Sequence, residues 1–128
     1  MKGLEGDSFA SLRSANVERN RHWDPDGVLG LVFRSNELSR EQGELANVVK
    51  KMERERLGLC GSRATKEMLA EELADVVICA DLLGMTAGID LWAAVVAKFN
   101  ATSEKYGLPV RLSARSALAG GQRRRRTR

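Results

Sequence analysis

Residues 68–83 constrain the fold more than any other part of this sequence. Apolar side chains occupy most positions from Val76 to Leu83, so on a helix they cover nearly the whole circumference. Such a helix has to be surrounded by other helices. Glu72 and Asp75 nevertheless fall in the same stretch, where a carboxylate is costly unless it is paired or bound to a metal ion. The segment therefore predicts the central helix of a bundle and marks its two acids as candidate site residues.

The remaining sequence has helical periodicity, clear turn signals and no strand pattern. Pro25 and Gly27 interrupt the first helical pattern, and Thr65 and Asp90 are the expected N-caps of the third and fourth helices. We predict helices over about residues 7–21, 28–57, 65–87 and 90–106. The fold class predicted from this pattern is an all-α four-helix bundle.

Length and composition limit the class of protein. A chain of 128 residues allows one domain with a core, and no apolar run approaches the roughly eighteen residues that a membrane span requires. The first residues lack the apolar region of a signal peptide, so we expect a cytoplasmic protein with no membrane partner. Cys60 and Cys79 match no zinc or redox spacing. A small helical protein of this size can complete its core by dimerising, and four helices with long apolar faces leave surface to bury, so we expect a homodimer or a homotetramer.

The positive charge is concentrated at the end of the chain. Of the 21 basic residues, six lie in residues 113–128, which leaves 15 basic against 17 acidic residues in the body. This tail has too few large apolar residues to fold by itself, so we predict that it is disordered. Basic tails can bind nucleic acid through its phosphates, and they are also often only solvated ends.

Two acidic pairs, Glu41 with Glu44 and Glu72 with Asp75, carry most of the functional information. Each pair has i,i+3 spacing, so on a helix its carboxylates share one face. Either pair alone is usually a solvated face, but four carboxylates on two helices can form an oxygen-only site for a hard cation, Mg²⁺ or Mn²⁺. The single histidine argues against a softer metal. Asp81 is a candidate to pair with a cation across the bundle.

The acidic blocks and their surroundings resemble a known family, the MazG-like nucleotide pyrophosphohydrolases of the all-α NTP pyrophosphatase group. The resemblance is carried by the segments EQGELANVVKK, EELADVVICADLL and GIDL, which begin at Glu41, Glu71 and Gly88. It divides the chain into an N-terminal helix and turn, a MazG-like helical catalytic domain and the basic tail. These three parts are residues 1–27, 28–112 and 113–128.

The sequence departs from the family pattern at two positions. The family's signature is an EExxE block followed by ExxD, and here Arg40 replaces the leading glutamate. Many relatives also carry asparagine in the last helix where this sequence has Thr102. The first change leaves the usual metal ligands intact, and the second weakens any phosphate contact at that position.

The resemblance implies hydrolysis of a nucleoside or deoxynucleoside triphosphate to the monophosphate and pyrophosphate, with water attacking the α-phosphorus. The implied ligands of Mg²⁺ are the four acids of the two pairs: Glu41, Glu44, Glu72 and Asp75. Glu41 or Glu44 would also take the proton of the attacking water. The candidate substrate contacts are lysines for the phosphates and aromatic rings for the base: Lys98, Lys50, Lys51, Trp23 and Phe33.

Two other functions fit the same sequence. The departures at Arg40 and Thr102 are compatible with a non-catalytic nucleotide-binding or regulatory helical module. The arginine-rich tail is compatible with nucleic-acid binding. The sequence does not indicate which base or sugar is preferred.

Overall fold

The computed structural model describes residues 8–113, and this part of the chain contains four α-helices and no strand. The helices are α1 (Ser8–Trp23), α2 (Leu31–Arg56), α3 (Lys66–Thr86) and α4 (Leu91–Lys105). The prediction of an all-α chain with four helices is confirmed. The predicted disordered tail, apart from Ser113, lies outside the described residues.

The helix ends follow from local hydrogen bonds. The Thr65 hydroxyl accepts a hydrogen bond from the Met68 amide at 3.1 Å, and the Asp90 carboxylate accepts one from the Ala93 amide at 3.0 Å. Both side chains therefore satisfy an amide that has no partner within its helix, which is the role expected of an N-cap. Gly88, after the end of α3, has a φ of 68°, a backbone conformation that glycine adopts without steric cost.

The start of α2 differs from the prediction. The helix begins at Leu31 rather than near Val28, because the Asp24 carboxylate accepts hydrogen bonds from the amides of Val28 and Leu29 at 2.9 and 3.0 Å. These bonds hold the segment before Gly30 in a turn. The amides of Val28 and Leu29 are therefore satisfied by a side chain and not by the carbonyls of a helix. The hydrogen bonds from Leu29 and Val28 also lower the pKa of Asp24.

Helices α2 and α3 form an antiparallel hairpin, and this hairpin positions the acidic residues. Arg34 near the start of α2 donates a hydrogen bond from Nε to the Thr86 hydroxyl at the end of α3, at 3.3 Å. The same guanidinium donates from Nη2 to Asn20 of α1 at 2.6 Å. Arg34 is 3% exposed, so a buried cation joins three helices at one end of the hairpin.

Polar side chains also attach α1 to α3. Asp81, 1% exposed, accepts hydrogen bonds from Arg13 Nε at 3.1 Å and from Asn16 Nδ2 at 2.9 Å. The expectation that Asp81 pairs with a cation across the bundle is thus confirmed. The Arg13 side chain also reaches the loop between α3 and α4, where its Nη1 donates a hydrogen bond to the carbonyl oxygen of Ile89 at 2.8 Å.

Helix α4 turns away from α3 at an angle of 106° and packs against α1, where the rings of Phe9 and Trp92 lie 5.0 Å apart. Among the described helices, none alone is long and apolar enough to cross a membrane. The bent pair of α3 and α4 meets that requirement of length and composition when its helices are taken together.

The hydrophobic core of the single chain is small. Among residues 8–113, five hydrophobic residues are buried: Val48, Ala64, Cys79, Leu82 and Val96. Sixteen large hydrophobic residues are exposed in the described part of the chain, among them Leu73 and Val77 of α3, each 48% exposed. The prediction that α3 is surrounded by helices therefore holds only where α2 and α1 pack on it. Within residues 8–113, one side of α3 is therefore left uncovered at Leu73 and Val77.

Candidate metal centre

Three carboxylates converge across the α2–α3 hairpin. Glu41 of α2 and Glu72 and Asp75 of α3 each offer an oxygen, and these three oxygens lie within 4.8 Å of one another. Because α2 and α3 run antiparallel, the i,i+3 pair on α3 faces the acidic turn of α2. The convergence of these three predicted site residues follows from packing of the helices.

The carboxylates repel one another and are partly desolvated. Burial, followed by the charges of Glu44 and Asp75, raises the pKa of both Glu41 and Glu72. One oxygen of each, Glu41 Oε2 and Glu72 Oε2, is buried without any hydrogen-bond partner. A buried acceptor without a partner is costly, and a bound cation would satisfy both atoms. The donor set, oxygens only, suits Mg²⁺ or Mn²⁺.

Glu44, the fourth predicted ligand, occupies a different position from the other three. Its Oε1 forms an ion pair with Arg40 Nη2 at 3.1 Å, and its side chain is 43% exposed. It also interacts with the Glu41 carboxylate. Glu44 therefore lies beside the three-oxygen cluster and is held by a cation of its own helix. The i,i+4 spacing of Arg40 and Glu44 in the sequence was the signal for this pair.

Two further residues next to the cluster were not predicted as part of the site. The Cys79 thiol is buried one turn after Asp75, and burial, with smaller contributions from Glu37, Glu41 and Asp75, raises its pKa. Glu37, one turn before Glu41, pairs with Arg34 at 3.5 Å. The position of Cys79 beside the acids depends on the pairing of α2 with α3.

The predicted lysine contacts are not gathered at the carboxylates. Lys98 is exposed on α4, and the main contact of α4 is with α1 rather than with α2. Lys51 follows Glu44 by seven residues, which places it on the same face of α2 about 10 Å further along the axis. Lys50 is exposed and lies about a third of a turn away from that face.

The predicted aromatic contacts are exposed. Trp23 is 68% exposed at the end of α1, and the Arg19 guanidinium lies 4.7 Å from its ring centroid. Phe33 is 45% exposed near the start of α2. A nucleobase would have one ring face of Trp23 available, because Arg19 covers the other.

A cavity of about 540 Å³ lies elsewhere, between α1 and the start of α4. Its lining includes Arg13, Asp81 and Trp92, all of which take part in the attachment of α1. None of the three clustered carboxylates lines it. The cavity is therefore separate from the candidate metal centre.

Comparisons with protein-family models, with curated proteins and with solved structures found no match to this chain. The chemistry of the centre thus has to be inferred from its own side chains. Three convergent carboxylates, two of them with a buried oxygen that lacks a partner, form a site with a strong negative field and no hydrogen-bond donor among its ligands. Such a donor set could hold a hard divalent cation.

Proposed function

We propose that the protein hydrolyses a nucleoside or deoxynucleoside triphosphate to the monophosphate and pyrophosphate with the help of Mg²⁺, or of Mn²⁺. The observation that carries the proposal is the pair of buried oxygens without partners, Glu41 Oε2 and Glu72 Oε2, in a three-carboxylate cluster. The resemblance of the two acidic blocks to MazG-like pyrophosphohydrolases supplies the reaction class.

The proposed ligands of the cation are Glu41, Glu72 and Asp75, with Glu44 able to join them when it leaves Arg40. When bound, Mg²⁺ supplies neutralising charge for the phosphates and makes coordinated water more acidic. Without a cation, the cluster would repel a triphosphate, since both are anionic. The proposal therefore requires activity to depend on a divalent cation.

The reaction forms a bond between the water oxygen and the α-phosphorus and breaks the bond from that phosphorus to the oxygen bridging to the β-phosphate. Pyrophosphate leaves with the bridging oxygen, and a carboxylate accepts the water proton. Glu41 and Glu44 are the candidates for this base, because their carboxylates interact at the edge of the cluster. Lys51, on the face of Glu44, is the better placed of the two α2 lysines for a phosphate contact.

We propose that two copies of the chain associate through their exposed apolar faces. Val49 of α2 and Leu73 and Val77 of α3 are each 48% exposed, and Leu73 and Val77 share a helix face because they are four residues apart. A chain that exposes more large apolar side chains than it buries gains stability by covering them. A homodimer, or a homotetramer built from two dimers, is the simplest way to cover this surface. Lys98 and Trp23 would then be candidates to contact substrate held by a partner subunit.

The test is pyrophosphate release from a panel of nucleoside and deoxynucleoside triphosphates, with Mg²⁺ and with EDTA. Glu72→Gln and Asp75→Asn remove ligand charge with little change of shape, so we expect each to lower turnover by at least about a hundredfold. Glu53→Gln is the matched control, because Glu53 is an exposed acid of α2 that pairs with Arg56 near the end of the helix. Circular dichroism checks that all three variants remain helical.

Turnover that survives EDTA, or that Glu72→Gln and Glu53→Gln lower equally, would refute the metal-carboxylate mechanism. The ion pair of Glu44 with Arg40 favours one alternative, a nucleotide-binding module without turnover, because it withholds a carboxylate from the cluster. Nucleotide binding that requires Mg²⁺, with no pyrophosphate released from any member of the panel, would support that alternative. Binding of nucleic acid through the tail predicts instead a salt-sensitive affinity that is lost when residues 113–128 are removed.

A further inference from the structure

Arg40 is the cation next to the candidate metal centre. Its guanidinium pairs with Glu44 at 3.1 Å, and its charge acts on both Glu41 and Glu72. The Arg40 side chain is 70% exposed, so one side of the guanidinium faces solvent beside the acids. A triphosphate bound at the acids through a cation would approach from solvent, where the exposed Arg40 side chain lies within reach of its phosphates.

The pair with Glu44 is easily broken. An exposed ion pair between residues four apart on a helix contributes little to stability, because water screens it and two long side chains have to be ordered. A divalent cation attracts a carboxylate more strongly than one guanidinium does, since its charge is twice as large and its contact is closer. Glu44 can therefore exchange Arg40 for a cation at low cost, and that exchange leaves the guanidinium free.

We propose that Arg40 has two alternating partners: Glu44 in the free protein and a phosphate of the substrate in the loaded protein. The inference rests on the proposed function, since it assigns a specific phosphate contact to the same site. A guanidinium suits this role because its planar fork can donate two parallel hydrogen bonds to phosphate oxygens. An acidic residue at position 40 would instead add a negative charge to the cluster and repel the phosphates.

The exchange predicts opposite effects of Arg40 on the two ligands. In the absence of a phosphate ligand, Arg40 competes with the cation for Glu44 and repels it, so Arg40→Gln should bind Mg²⁺ about threefold to tenfold more tightly. With Mg²⁺ saturating, the same variant lacks the phosphate contact and should bind a polyphosphate about tenfold more weakly. A residue that only stabilises α2 would not change the two affinities in opposite directions.

Isothermal titration calorimetry measures both affinities, with Mg²⁺ alone and then with inorganic triphosphate in excess Mg²⁺. Inorganic triphosphate is a suitable probe because it contains the phosphates without a base and does not require turnover at the α-phosphorus of a nucleotide. The matched control is Arg56→Gln, which removes the same charge from an exposed pair with Glu53 about 24 Å along α2. Arg40→Lys keeps the charge without the fork, so it should retain the weak Mg²⁺ affinity and lose part of the triphosphate affinity.

We expect Arg56→Gln to remain within about twofold of the unmodified protein in both titrations. The proposal is overturned if Arg40→Gln binds Mg²⁺ no more tightly than Arg56→Gln does, or if its triphosphate affinity equals that of the unmodified protein. These outcomes are separate from failure of the proposed function. That failure would appear as absent pyrophosphate release in the unmodified protein, whatever the two titrations give.

Discussion

Replacement of Asp81 by alanine tests whether polar contacts hold α1 on the hairpin. The carboxylate is 1% exposed and accepts one hydrogen bond from Asn16 and one from Arg13. Asn16 is also 1% exposed, so its amide would lose its bond to Asp81 and keep only the longer one to the Ile78 carbonyl at 3.5 Å, at a cost of about 1–3 kcal/mol. The Arg13 side chain is 25% exposed and keeps its bond to Ile89, so it loses less. Together these terms give about 2–4 kcal/mol.

Urea unfolding followed by circular dichroism measures this loss at a fixed protein concentration, which is needed because association would add to the apparent stability. Asp81→Asn keeps one acceptor oxygen, so its cost should lie between zero and that of Asp81→Ala. Glu104→Ala removes an exposed acid of α4 and should change the free energy of unfolding by less than about 0.5 kcal/mol. If Asp81→Ala costs less than about 1 kcal/mol, the reasoning from unsatisfied buried donors is wrong.

Two further predictions concern the acids and a helix end. The pKa of Glu41 and of Glu72 is raised above 4.5, so the folded protein binds more protons than the unfolded chain just above that pH. These groups should therefore make the metal-free protein more stable as the pH falls from 7 towards 4.5, and Mg²⁺ should oppose this trend because it binds the ionised form. Thermal unfolding with EDTA and with Mg²⁺ measures both effects. The pH dependence of stability should be smaller in Glu72→Gln than in the unmodified protein. An equal pH dependence would contradict the assignment of this effect to the Glu72 carboxylate. Thr65→Ala removes the acceptor of the Met68 amide and should cost about 1 kcal/mol in urea unfolding, whereas Thr65→Ser should cost much less; equal losses would argue against the cap.

The sequence predicted the features that depend on neighbouring residues. The caps Thr65 and Asp90 were predicted because a capping side chain acts within three residues of its own position. The beginning of α2 was placed too early because helical periodicity does not reveal that Asp24 holds the amides of the next turn. Asp24 is close in sequence to these amides, but it can accept their hydrogen bonds only when the chain forms the turn before Gly30. The helical periodicity does not specify that turn.

The candidate site was predictable to a similar extent. The spacing of Glu72 and Asp75 puts both on one face of α3, and pairing of two apolar helices brings Glu41 opposite them. The sequence did not indicate that Glu44 would pair with Arg40 instead of joining the other three carboxylates. The outcome depends on a balance between screened attraction to Arg40 and repulsion from the acids. It also did not indicate the angle of 106° that directs α4, and with it Lys98, away from α3.

The attachment of α1 has a consequence for local unfolding. Besides the contact of Phe9 with Trp92, α1 is attached by hydrogen bonds from Arg13 and Asn16 to Asp81 and from Arg34 to Asn20, and its buried residue, Asn16, is polar. Hydrogen bonds are directional, so these contacts favour one register of α1 on the hairpin. If α1 detaches as a unit, the surface that it leaves includes Arg34 and Asp81, both of which are charged. Opening of this helix would therefore expose charged groups that water solvates well, together with the Trp92 ring, and amide hydrogen exchange would report it as a local opening of α1.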